Sequence, residues 1–127
     1  MSRTLGIIAA SSGFICVALG AFGAHGLKDS LTPGMLDTWH TAVTYQFFHT
    51  LVLLVLASAP QALAAVYLHR AGLLFSAGIL VFSGSLYALV LLDARWLGMV
   101  TPLGGVLLLL GWLVLLRGYL RSPLAQG

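Results

Sequence analysis

Residues 101–120, TPLGGVLLLLGWLVLLRGYL, decide the fold. They hold one charge, Arg117. At ~1.5 Å per residue a helix of this length reaches ~30 Å, the thickness of a bilayer's hydrocarbon core. Thr101 offers a cap and Pro102 fits the first helical turn. Three more runs of this kind precede it, at about 5–26, 38–59 and 71–92. The whole chain has a mean hydropathy of +1.03 and only 7% charged residues, whereas a soluble domain carries roughly 25%. The reading is an all-α, integral membrane four-helix bundle with up-down-up-down order. Residues 1–127 form a single transmembrane domain, and the loops are too short for a soluble module.

The first run carries Arg3, an apolar stretch and Ala21-Phe22-Gly23, features a secretory leader shares. Its length and glycine content predict a retained span. Arg3, Arg70, Arg117 and Arg121 fall on the side that holds both termini; Lys28 and Arg95 fall on the other. That bias predicts cytoplasmic termini for a multi-pass protein of the bacterial inner membrane. The cations are scattered rather than clustered, which excludes a polybasic nucleic-acid surface. Trp39 and Trp96 at the outer helix ends, with Tyr67 and Tyr119 at the inner ends, read as aromatic belts. Cys16 is alone and reads as a small packing residue.

Boundary signals follow. Asp37-Thr38 is expected to cap the second span, Ser30 to Pro33-Gly34 to form the first outer turn, and Pro60 to end the second span. Spans one and four share a glycine every seven residues: Gly6, Gly13 and Gly20, then Gly104, Gly111 and Gly118. Seven residues is close to two turns, so each set lines one face. In lipid such stripes mark helix contacts, and close packing is expected at both. Span three places Gly72, Ser76, Ser83 and Tyr87 on one face as well.

The inner halves of the spans are almost wholly aliphatic, and the polar residues gather in the outer halves. His25 leaves span one; Tyr45, Gln46 and His49 share about 100° of arc on span two; Tyr87 leaves span three. Polar side chains in a membrane usually face the bundle. These five are expected to converge as a candidate ligand site, with Gln46 or His49 bonded to a second helix. His40 points away from His49, and the histidines together supply too few ligands for zinc. Neither a metal nor a cofactor is expected. No span carries paired carboxylates, Cys16 has no adjacent base, and the glycines lack a nucleotide loop's strand–turn–helix setting.

Four blocks, LGAFGAHGLK, TAVTYQFFHTL, FSGSLY and TPLGG followed by GW, make the chain resemble the YgdD-like family of small bacterial membrane proteins. The resemblance runs through nearly the whole chain. It implies a four-helix inner-membrane protein and brings no activity. The position before Tyr45 is often basic in that family; here it is Thr44. The functional expectation is a non-enzymatic protein whose outer half binds a lipid-like molecule or a partner membrane protein, with a homo-oligomer as one form of partner. The alternative is a small channel or carrier with a path lined by His49 and Tyr45.

Overall fold

Four helices account for most of residues 2–122, the part of the chain that the computed structural model describes: α1 Ser2–His25, α2 Pro33–Ser58, α3 Ala65–Leu92 and α4 Thr101–Leu120. All four are long and apolar enough to cross a membrane. Residues 1 and 123–127, and with them the C-terminus whose cytoplasmic placement the charge bias predicts, lie outside the described residues.

α2 begins five residues earlier than expected. Thr32 is its cap, with Oγ1 accepting from the Met35 backbone N–H at 3.2 Å, and Pro33 occupies the first helical turn. A threonine cap followed by proline is a start signal; Pro33-Gly34 had the composition of a turn and is helical instead. Asp37 and Thr38 therefore lie inside α2. α3 also begins early, at Ala65, so Tyr67, His69 and Arg70 are helical. Thr101 does not cap α4. Its hydroxyl pairs with Ser85 Oγ at 2.6 Å, tying α4 to α3. Pro60 does end α2, and short 3₁₀ turns at Pro60–Ala62 and Arg95–Met99 fill two of the connections.

The glycine stripes show how the helices are ordered. A Cβ at Gly6, Gly13 or Gly20 would face Ala57, Thr50 or Val43 of α2, so α1 and α2 run antiparallel in seven-residue steps. A Cβ at Gly104, Gly111 or Gly118 would face Phe82, Phe75 or Tyr67 of α3. α2 and α3 form the centre, with α1 against α2 and α4 against α3. The two stripes differ in closeness. The α1 positions have ordinary clearance, 3.4–3.8 Å, so the tight approach expected there is absent. At α4 the backbones nearly touch: a Cβ on Gly104 would lie 2.6 Å from Phe82 Cα. Gly78 and Gly72 are crowded instead by side chains, those of Leu108 and Leu5.

The core is divided. One apolar cluster joins Leu5, Leu53, Leu56, Leu68, Phe75 and Leu108. Another, toward the opposite end, centres on Leu27, Trp39 and Val90. Trp39 is fully buried, not part of a belt. Its indole lies over Gly23, whose missing side chain makes the space, and Nε1 donates to the Leu19 carbonyl at 2.9 Å. Trp96 is exposed. Phe14, Phe48, Leu80 and Leu109 are exposed too, an apolar exterior that suits lipid.

Candidate functional site

A polar layer separates the two apolar clusters, and α2 supplies its centre. Tyr45 and Gln46 lie halfway along Pro33–Ser58. The early start of α2 thus puts Tyr45 and Gln46 at the middle of the helix rather than in its first third.

Gln46 is buried and satisfied on three sides. Its Nε2 donates to the Ser12 carbonyl at 3.1 Å and to Ser12 Oγ at 3.2 Å, and its Oε1 accepts from the Tyr87 hydroxyl at 2.6 Å. The Ser12 hydroxyl also pairs with Thr50 at 2.7 Å. One amide therefore links α1, α2 and α3. Ser83 Oγ donates to the Ala42 carbonyl at 2.7 Å, a second tie between α2 and α3. The Tyr87 ring is held edge-on against Trp39, with centroids 4.8 Å apart.

His49 turns the other way. Nδ1 lies 2.7 Å from the Tyr45 carbonyl, which can only accept, so Nδ1 carries the proton. Nε2 is then free to accept from the Trp112 indole N–H of α4, at 3.2 Å. Both ring nitrogens are engaged, so neither is open to a ligand or metal. Tyr45 is partly exposed, with its ring on Phe82 at 4.4 Å and roughly parallel to His49 at 6.0 Å. Phe75 packs against both His49 and Trp112.

The five candidate residues thus do not form one site. Gln46 and Tyr87 meet between α1 and α3. Tyr45 and His49 meet on the α4 side. His25 is exposed at the end of α1 and joins neither pair. The residues that complete the layer, Ser12, Thr50, Phe82 and Trp112, were missed. Trp112 carried a signal: a tryptophan in the middle of a span is far from the interface that usually holds it. Among the described residues, every buried side-chain N or O has a hydrogen-bond partner, and no three His, Cys, Asp or Glu gather where a metal could sit.

Two grooves flank the layer. The first, about 390 Å³, runs between α1 and α3. Ile7, Ile15, Leu19 and Leu80 form apolar walls; Ser11, Ser12, Gln46, Ser76, Ser83 and Tyr87 add polar atoms. Gly84 lines it too, and a Cβ there would meet nothing within 4 Å. The second, about 420 Å³, lies between α2 and α4 over Tyr45, His49, Phe82 and Trp112. No charged side chain lines either groove. Their chemistry is therefore that of neutral hydrogen bonding beside apolar contact.

His49→Leu should lower unfolding stability in detergent by about 1–2 kcal/mol, because the Trp112 N–H loses its acceptor between the helices. Adding Trp112→Phe should restore part of the loss. A single variant as stable as the wild type would show that the His49–Trp112 bond adds nothing to stability.

A family model described as a protein of unknown function (DUF423) matches residues 19–105. The UPF0382 inner membrane protein YgdD of Escherichia coli K12 is 44% identical over 120 residues, spanning 94% of this chain and 92% of that protein. A UPF0382 membrane protein of Staphylococcus epidermidis is 44% identical over 115 residues, spanning 91% of this chain and 93% of that protein. No solved structure matches.

Proposed function

Because the chain belongs to the DUF423 family, membrane proteins of unknown function, its role must be read from its own side chains, and we propose that it binds a lipid-like molecule in the groove between α1 and α3. The observation that carries this is the groove itself. It has about 390 Å³ of space, within the range of small-molecule sites, and apolar walls that open toward lipid. Gln46 lies at its floor with its hydrogen bonds already made, so the groove keeps its shape without a ligand. This role is binding rather than catalysis. Apart from Ser11, the lining hydroxyls and amide are bonded to one another or to backbone carbonyls, and none is activated by a neighbouring base. The carrier reading is less well supported, since a path past His49 would find both ring nitrogens occupied.

Gly84→Leu tests the reading. A Cβ at Gly84 meets nothing within 4 Å and the position lines the groove, so the fold should survive the longer side chain while co-purifying lipid falls at least tenfold. Native mass spectrometry from mild detergent would measure this. Unchanged lipid retention by a folded Gly84→Leu protein would overturn the lipid-binding role.

For the orientation, we place both termini in the cytoplasm. Arg3, Arg70 and Arg117 lie near the start of α1, the start of α3 and the end of α4, at one end of the bundle. Lys28 and Arg95 at the other end are accompanied by Asp29, Asp37 and Asp93. A reporter fused after Gly127 should be active in the cytoplasm. Activity on the far side of the membrane would reverse the topology.

A further inference from the structure

We infer that the occupant of the α1–α3 groove is an uncharged lipid bearing a carbonyl, which accepts a hydrogen bond from Ser11 at mid-depth. The inference rests on the lipid-binding reading above and narrows it to a chemical class.

Six polar side chains line the groove. The Tyr87 hydroxyl donates to Gln46, and the Gln46 amide to Ser12. Ser76 donates to the Gly72 carbonyl at 2.7 Å, and Ser83 to the Ala42 carbonyl. Ser12 Oγ accepts from Gln46 and shares its remaining bond with Thr50. Ser11 is different: it lines the groove, is exposed, and its hydroxyl has no hydrogen bond to another described residue. A hydroxyl facing hydrocarbon gains by finding a partner. The occupant is therefore best matched by an acceptor, and a carbonyl is the simplest one.

Ser11 lies in the middle third of α1, nine residues after Ser2 and fourteen before His25. Gln46 and Ser76 also lie in the middle portions of their helices. A phosphate drawn to this level would leave water with no cation to meet it, because no Lys or Arg lines the groove. A phospholipid headgroup must stay near the interface, whereas a neutral head can reach mid-depth. The groove is also elongated. Ile7 to Leu19 on its α1 wall spans twelve residues, ~18 Å along the helix axis. It is more than half the hydrocarbon thickness and accommodates one extended chain beside the head. Quinones with a prenyl or alkyl tail and acylglycerols both have this chemistry.

The test uses the full chain in mild detergent with three probes: a benzoquinone carrying a ten-carbon tail, dioleoylglycerol and dioleoyl phosphatidylglycerol. Retention is titrated by native mass spectrometry for the wild type, Ser11→Ala and Gly84→Leu. At least one of the two uncharged probes should bind the wild type, lose about five- to tenfold in affinity with Ser11→Ala and lose all specific retention with Gly84→Leu. Which of the two binds identifies the source. Equal retention of phosphatidylglycerol in the groove, insensitive to Ser11→Ala but blocked by Gly84→Leu, would refute the carbonyl assignment and leave lipid binding standing. Retention of every probe that ignores Gly84→Leu would overturn both.

Discussion

Gly104→Ala should destabilise the protein by about 3 kcal/mol, near the upper end of what overpacking costs. The added carbon would lie 2.6 Å from Phe82 Cα, and the neighbouring Phe82 amide nitrogen is also in contact. A crowded side chain can rotate away; a helix backbone cannot. α4 must move outward, which threatens the Ser85–Thr101 bond and the Trp112–His49 bond together. Gly104→Leu should abolish folding. Gly13→Ala is the control: its Cβ would sit 3.7 Å from a Thr50 methyl, an ordinary contact. It should change stability by less than about 0.5 kcal/mol. Chemical unfolding in detergent, followed by helical circular dichroism, distinguishes them. Equal midpoints for the two alanine variants would show that the α3–α4 approach is looser than described.

Gln46→Leu should cost about 2 kcal/mol. Hydrogen bonds between membrane helices contribute on average about 0.6 kcal/mol and at most about 1.7. Gln46 has contacts to Ser12 and Tyr87, so several are lost at once. The substitution also strands the Tyr87 hydroxyl, and an orphaned group in an apolar interior adds its own penalty. Tyr87→Phe keeps the ring packed on Trp39 and removes only the hydroxyl, so its cost should be below about 1 kcal/mol. The pair should be coupled by at least 0.5 kcal/mol in a double-mutant cycle. Strict additivity would mean that the Tyr87–Gln46 bond adds nothing to stability.

The four helices were legible because each is an uninterrupted apolar run, and lipid tolerates little else. Their starts were less so. Thr32-Pro33-Gly34 has the composition of both a turn and a helix start, and only the cap bond to Met35 separates them. The division of the polar strip was hidden for another reason. Gln46 and His49 are 60° apart by helical geometry, close enough to suggest one site. But α2 has neighbours on three sides, and that arc is wide enough for Gln46 to reach α1 and α3 while His49 reaches α4. Periodicity gives direction around a helix and not the number of partners there. The glycine stripes teach the same lesson. Both faces could be drawn from sequence; that Gly104 meets backbone while Gly13 meets a methyl depends on the partner. Trp39 looked interfacial because it is near a helix end, and the clue to its burial was a glycine, Gly23, in a different span.

The way α4 is held also bears on how the chain would yield to mechanical load. The first three helices are cross-linked by directional bonds through Gln46, which can stretch and re-form as neighbours slide. α4 has two such bonds, at Thr101 and Trp112, beside a glycine ridge where a gap of about 0.5–1 Å already forfeits roughly a quarter to a half of the contact energy. Drawn from its C-terminal end, α4 would resist stiffly over a very short distance and then come away in one abrupt event. The other three would give way more gradually, so the bundle combines a brittle joint with a ductile one.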